Sequence, residues 1–317
     1  MQEEKIFTVL IPAYNMEKWI GKTIESVLKN KNSEKYIDIL VINDGSTDNT
    51  INVVKTYQNK YNNISLINKP NANWGSVINY AKNNKCIKTK YAMILDADDR
   101  IAPKMLDILI KQIDKSNFDL VFFKTKVFWY KKLSVIIDPR LFSKRNTFFS
   151  PVVIPCSTVF KTELLYQIDD LVEKVSYQDY PMFYKMIKIA KKIRFINRVG
   201  GIYWFSRPNN TMTSAWNEKR MNVESIMLEE LCKINYEFLF IARLILPNYI
   251  QGISKSNIIM QINKADYQKM LSLASWFFKS IFKSKIQRAL RKNCAEFVDT
   301  RTRLIYKDDA KSANKNS

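Results

Sequence analysis

The 317-residue chain contains no histidine. That absence excludes Ser-His-Asp and Cys-His nucleophilic catalysis, imidazole acid–base chemistry and any zinc site that needs a histidine ligand. Carboxylates, hydroxyls or Lys/Arg must therefore carry any protons or metal. Glycine is scarce, with six residues (Gly21, Gly45, Gly75, Gly200, Gly201 and Gly252). None of their spacings gives G-x-G-x-x-G or G-x-x-x-x-G-K, which disfavours a glycine-lined dinucleotide site and a Walker-type phosphate loop. The four cysteines, Cys86, Cys156, Cys232 and Cys294, lie far apart and read as reduced thiols. No apolar run reaches the ~18 residues of a membrane span. The first residues, MQEEKIFTVLIP, are acidic and then strand-like, unlike a signal peptide. The expected location is cytoplasmic. Acids are also in short supply, 30 against 51 bases, for a formal net charge of +21.

What the chain does have is apolar content, 46%, ample for a packed core. The length suggests about two domains at ~150 residues each. Over the first hundred residues apolar runs alternate with helical stripes. Strands are predicted at 6–11, 37–43, 64–67, 91–95 and 120–123, and helices at 17–28, 49–57, 74–81 and 104–113, with Asp48 as an N-cap. Alternation of this kind implies a mostly parallel sheet flanked by helices, with ligands beyond the carboxyl ends of the strands. Residues 124–149 read as an irregular strand-and-loop segment, 164–172 and 180–192 as helices, and 195–207 as one or two strands. The domain boundary is expected at 213/214. Residues 214–317 would form a helical C-terminal region, broken at Pro247 and Gly252 and frayed over 308–317.

The loops after the strands are Pro12–Asn15, Asp44–Asp48 and Asp96–Asp99. Two of the three are acidic in a strongly basic protein. Asp96, Asp98 and Asp99, just past a buried strand, offer hard oxygen ligands suited to Mg²⁺ or Mn²⁺, an ion that completes its shell with substrate phosphates. The bland alternative is a solvated turn capping the next helix. Gly45 would serve to make its turn, and Trp19 and Trp74 read as packing.

Val9-Leu10-Ile11-Pro12-Ala13-Tyr14-Asn15, Val41-Ile42-Asn43-Asp44-Gly45-Ser46-Thr47-Asp48 and Ile94-Leu95-Asp96-Ala97-Asp98-Asp99, in this order and spacing and with Asn73-Trp74-Gly75 between, resemble the family 2 glycosyltransferases of the GT-A fold. The resemblance covers about residues 5–213 and is strongest over the first hundred. It implies a Rossmann-like α/β domain and a nucleotide-sugar donor, commonly a UDP-sugar. By the same resemblance Pro12, Ala13 and Tyr14 match the loop along the nucleoside, Asp44 the acid at the base, Asp96 the residue near the ribose, and Asp98 the ligand of a Mn²⁺ or Mg²⁺ on the diphosphate. Ser176-Tyr177-Gln178-Asp179-Tyr180 resembles the acceptor-side block, in which Glu-Asp precedes a helix. Here the pair is Gln178-Asp179, so the catalytic base, Asp179, is kept while its neighbour is neutral. Asp179 would equally serve as an N-cap. A base opposite the leaving group predicts inversion at the anomeric carbon. Residues 202–213 resemble the loop that closes over the donor phosphates, with the arginine shifted to Arg207. The implied acceptor is a saccharide or a lipid-linked hydroxyl, in cell-surface polysaccharide synthesis.

Two rivals differ in class. A sugar nucleotidyltransferase would want a glycine-rich basic loop where Pro12-Ala13-Tyr14-Asn15 stands. A non-catalytic nucleotide- or carbohydrate-binding module of the same fold stays open because of Gln178 and the shifted arginine. The positive charge lacks a nucleic-acid-binding motif to go with it, which disfavours nucleic acid. Residues 270–292 (MLSLASWFFKSIFKSKIQRALRK) carry bases, no acid and an apolar helical face. That segment suits either the inner face of an anionic membrane or packing within the protein.

Overall fold

The computed structural model describes residues 5–31, 33–113, 117–130, 133–140, 153–205 and 207, with scattered positions between 220 and 234. The chain divides into two compact units, residues 1–141 with 151–213, and residues 142–150 with 214–317. In the second, Met227, Leu231 and Ile234 are buried. Segment 270–292 and the tail 308–317 lie outside the described residues.

The first unit runs β1 (Phe7–Ala13), α1 (Ile20–Leu28), α2 (Ser33–Tyr36), β2 (Ile37–Asp44), α3 (Thr50–Gln58), β3 (Ile64–Lys69), α4 (Asn73–Asn83) and β4 (Tyr91–Ile94). Then come β5 (Arg100–Ile101), α5 (Met105–Ile113), β6 (Leu120–Tyr130), β7 (Leu133–Ile137), a 3₁₀ turn at Pro155–Ser157, β8 (Thr158–Lys161), α6 (Thr162–Gln167), α7 (Asp179–Ile189) and β9 (Ile193–Trp204). Among the described residues the strands form one nine-stranded sheet in the order β3-β2-β1-β4-β8-β6-β9-β5, with β7 beside β6. Strands β1 to β4, β6 and β9 point the same way, while β5, β7 and β8 run against them. The fold is the expected α/β architecture with a mostly parallel sheet.

The central strands are mostly apolar, as in parallel sheets covered by helices on both faces. Every residue of β1 is buried, and Phe7, Val9, Ile11, Ile39, Val41 and Met93 share one core with Ile20, Ile24 and Val27 of α1. The chain winds outwards through β2 and β3 on one side of β1 and returns to β4 on the other. The order therefore reverses between β1 and β4, the kind of crevice in which α/β sheets bind ligands.

Four local expectations are corrected. Strand β1 does not stop at Pro12 but continues to Ala13, paired with β2. Leu10 turns its carbonyl to β4, accepting from Leu95 N at 2.9 Å, so Pro12, two residues on, faces the same side, past the end of β4. Its missing N–H costs no ladder bond there. Residues 124–137 are not irregular: β6 runs to Tyr130 and pairs with β7 as a hairpin. The helix expected over 164–172 ends at Gln167. Asp48 lies one residue before the N-cap position of α3, yet its carboxylate still accepts from Thr50 N at 2.9 Å, and also from Glu17 N at 3.0 Å. It joins two loops as well as capping a helix.

Candidate active site

The carboxyl ends of β1 and β2 are stitched together before any ligand is considered. Asn15, left-handed at φ 52°, donates its backbone N–H to Ser46 Oγ at 2.9 Å and accepts from Thr47 N at 2.8 Å. Asparagine tolerates that conformation better than most residues. The hydrogen bonds that Asp48 accepts from Thr50 and Glu17 outweigh its desolvation and hold its carboxyl below the usual range. Gly45 turns at φ 71°, and a Cβ there would lie 2.9 Å from Asn71 N, so glycine is required on both counts. Tyr14 projects from the end of β1 and is half exposed, whereas Pro12 and Ala13 are buried within the strand.

Asp44, at the end of β2, is 3% exposed. Its register partner on β3 is Lys69, whose Nζ donates to Asp44 Oδ1 at 2.6 Å and to Ser76 Oγ at 2.8 Å. Ala72 N donates to the same carboxylate oxygen at 3.1 Å. One buried charge is thus paired and hydrogen-bonded, as burial demands.

The first turn of α4 joins this donor-side corner to the rest. Trp74 Nε1 donates to Asp96 Oδ1 at 2.9 Å. Gly75 leaves no room for a side chain, since a Cβ would lie 2.7 Å from Val172 O and 3.3 Å from Gln178 Cγ. Lys174 N donates to Ala72 O at 2.9 Å. Asn73-Trp74-Gly75 therefore touches the acid loop after β4 and the segment before α7 at once.

Past β4 the acids are crowded. Asp98 is 6% exposed and paired with Arg207 Nε; Asp99 is fully buried. Asp99 holds the end of β9, accepting from Trp204 N at 3.4 Å, while its backbone carbonyl accepts from Thr23 Oγ1 at 2.8 Å. The Cys156 thiol lies against its carboxyl. Burial and the negative charges of Asp98 and Asp96 push Asp99 well above the ordinary carboxylate range. Asp96 is pushed up to about 7, first by desolvation and then by Asp98, with the charge of Asp179 adding to the rise and Trp74 and Arg207 opposing it. Asp179, the first residue of α7, is pushed up to about 6 by desolvation, against the backbone N–H groups of Asp179 and Tyr180.

The structure thus brings Asp96, Asp98, Asp99, Asp179 and Arg207 into one electrostatic cluster. Asp44 joins it through α4. Gln178 is 1% exposed; its Oε1 accepts from Val172 N at 3.1 Å, and its Nε2 has no partner among the described residues. Its amide braces the loop before Asp179, a role a neutral side chain fills without adding another buried charge. A groove of about 660 Å³ lies elsewhere, between α1 and α3; Glu25, Lys29, Tyr57 and Lys60 are among its lining, and none of these carboxylates is.

Residues 8–160 match the family model described as Glycosyl transferase family 2. The uncharacterized glycosyltransferase MG060 of Mycoplasma genitalium is 34% identical over 247 residues, 75% of this chain and 82% of the relative. The chain belongs to glycosyltransferase family 2. The MG060 homolog of Mycoplasma pneumoniae is 31% identical over 90% of this chain and 96% of its own length. Among solved structures, Staphylococcus aureus TarS residues 1–349 in complex with UDP-GlcNAc align with a TM-score of 0.61 at 20% identity, covering 90% of this chain and 83% of that one. The fold is accordingly that of the GT-A transferases, and the protein is an enzyme of the glycosyltransferase class.

Two residues of this candidate site were not singled out as functional from the sequence. Lys69 was legible in principle, because it ends β3 one strand over from Asp44, in register. Trp74 read as packing, and its hydrogen bond to Asp96 crosses from α4 to the loop after β4, which no local pattern reveals.

Proposed function

We propose that the chain transfers a sugar from a UDP-sugar to a hydroxyl of a saccharide or lipid-linked acceptor, with inversion and with the help of Mn²⁺ or Mg²⁺. The observation that carries this reading is the convergence of Asp44, Asp96, Asp98 and Asp179, from three separate segments, on the crevice between β1 and β4. The nucleotide follows from the resemblance and from the UDP-GlcNAc bound by the TarS structure. Tyr14 and the strand end at Pro12 and Ala13 would flank the nucleoside, and Asp44, held rigid by Lys69, would receive the base.

The residues fit a divalent ion. The acid loop offers hard oxygens; burial first, and then mutual repulsion, raise Asp96 and Asp99, and added positive charge relieves the repulsion. No group of three or more His, Cys, Asp or Glu is arranged as a metal cage among the described residues. The ion would instead rest on Asp98, with Asp96 beside it and donor phosphate and water completing the shell. When bound it neutralises the charge that gathers on the diphosphate leaving group. Arg207, paired with Asp98, would lie within reach of the donor phosphates. Asp179 would accept the acceptor proton; its raised value makes it a better base than an ordinary carboxylate while leaving it ionised at neutral pH. The setting is cell-surface polysaccharide synthesis, with segment 270–292 as an anchor on anionic lipid. No helix among the described residues is long and apolar enough to cross a membrane.

The test is calorimetry of UDP binding with and without Mn²⁺, for the wild type and Asp98→Ala. Metal-dependent binding lost in the variant is expected. Binding of GDP in place of UDP would retire the uridine assignment, and failure of both diphosphates would retire the donor site.

A further inference from the structure

We infer that the β6–β7 hairpin is a membrane-docking arm that lodges in the headgroup layer of an anionic bilayer beside the active site. Strand β7 pairs only with β6 among the described residues, leaving its outer edge open. Such an edge is normally blunted by charge or kept short. Here it reads Leu-Ser-Val-Ile-Ile and is open to solvent: Leu133 is 70% exposed, Ile136 56% and Val135 44%. Leu133 and Val135 point to one face of the hairpin and Ile136, beside Ser134, to the other, so each face carries an exposed aliphatic side chain. Trp129, 49% exposed, is the extra residue of a bulge, because Phe128 pairs with Ser134 and Tyr130 with Leu133. A bulge re-aims its side chain, and this one sets the indole near the tip.

Exposed aliphatic side chains on both faces argue for a medium that surrounds the arm; a protein partner would cover one face. The charge selects which medium. The two residues joining β6 to β7 in sequence are Lys131 and Lys132, and between Leu120 and Ser150 the only acid is Asp138. That acid is already held by Arg140 at 2.8 Å and Lys124 at 3.5 Å. A half-exposed tryptophan beside exposed aliphatic side chains, in a stretch whose sequence is basic, suits the boundary between headgroups and acyl chains. A shallow seat also leaves the open strand edge within reach of water, which deep insertion would not allow. A second copy of the chain is a poor occupant, since each copy carries +21 and like charges repel.

The arm is placed for use. Because β6 runs parallel to β4 and β9, its tip leaves the sheet at the edge where the acidic loops lie. Phe128 stacks on Trp204 at 4.4 Å between ring centroids, Trp129 packs on Phe205 at 4.4 Å, and Phe205 N donates to Phe128 O at 3.0 Å. Trp204 in turn is tied to Asp99. Docking through this hairpin would present the catalytic edge to the lipid surface, whatever sugar is transferred.

Co-sedimentation of the full chain with vesicles tests this, using equal parts phosphatidylglycerol and phosphatidylcholine against phosphatidylcholine alone. The wild type is expected on the anionic vesicles, and Leu133→Ser/Ile136→Ser is expected to bind ~10-fold more weakly. Both side chains are exposed, so the melting temperature should hold, and the milder Ile136→Asn should shift binding in the same direction. The basic segment is separated by repeating the comparison in a Lys279→Glu/Lys283→Glu background, where the hairpin substitution must still weaken binding. Equal partition of wild type and hairpin variant would overturn the inference. So would a wild type that ignores anionic vesicles, or a wild-type dimer that the same substitution dissolves.

Discussion

On the side of the site built by β1, β2 and β3, each acid comes with its own neutralisation. Asp44 has Lys69 and the N–H of Ala72. Asp48 has the N–H groups of Glu17 and Thr50. On the side built by the end of β4 and the start of α7, Asp96, Asp98, Asp99 and Asp179 lie close, Arg207 is paired with Asp98, and three of the acids are pushed upward, first by desolvation. The first side is finished before a ligand arrives. The second stores electrostatic repulsion that a cationic or proton-bearing ligand releases. A rigid, satisfied corner suits recognition of a fixed group, whereas an unsatisfied acidic cluster suits chemistry.

The largest test of that contrast falls on the unsatisfied side. Asp179→Asn keeps the shape and hydrogen-bonding capacity of the helix start while removing the base. Turnover should fall by about 10²–10⁴, with UDP affinity unchanged in calorimetry. Its pH dependence follows from the wild-type value near 6. The carboxylate must be ionised to take a proton, so kcat/KM should be flat above that value and fall about tenfold per unit below it. A variant with wild-type turnover, or a wild-type rate indifferent to pH across that range, would remove Asp179 from the chemistry.

The next test breaks the satisfied side. Lys69→Met leaves Asp44 buried without its counter-charge, and stripping one partner from a buried pair costs about 3–5 kcal/mol. Thermal melting should register that loss at neutral pH. Donor affinity should drop together with stability, because the same carboxylate anchors Ala72 and the first turn of α4. If stability fell and UDP affinity did not, Asp44 would be a structural acid only.

How well each side could be read from the sequence tracks the same division. The strand–loop–helix units of the first hundred residues are local, with apolar runs ending in polar turns, so the order of elements and the acidic loops were legible. The acceptor side depends on contacts far apart in sequence. The hairpin at 120–137 was legible only as a strand at 120–123 and an irregular strand-and-loop segment beyond it, because Lys124 and Lys126 interrupt its apolar run, and its pairing to β9 comes from 70 residues further on. Helix α6 ends at Gln167 although apolar residues continue, because Leu171 N is taken by Asn79 Oδ1 at 2.8 Å. Arg207 stood out of register with the family pattern, yet the chain carries it back to Asp98 once β9 is aligned on β6.

The smallest effect is also the most specific to the contrast. In the folded chain the Asp96 carboxyl sits near 7, above the ordinary value of 3.8. The folded state therefore holds this proton more tightly than the unfolded state does. The charge costs stability in full above pH 7, and stability returns as pH falls from about 7 towards 4. Asp96→Asn removes the charge and keeps an oxygen for Trp74 Nε1. Each pKa unit corresponds to about 1.4 kcal/mol, and partial exposure reduces the gain, so about 1–2 kcal/mol of added stability is expected at pH 7.5. On a domain of this size that raises the melting temperature by about 2–8 °C. The gain should shrink at pH 5, where the wild-type carboxyl is already protonated, and turnover should fall in the same protein. Gain of stability with loss of activity is the signature of an acid kept against the interest of the fold. A variant that melted lower at pH 7.5 would place Asp96 with the satisfied acids of the other side.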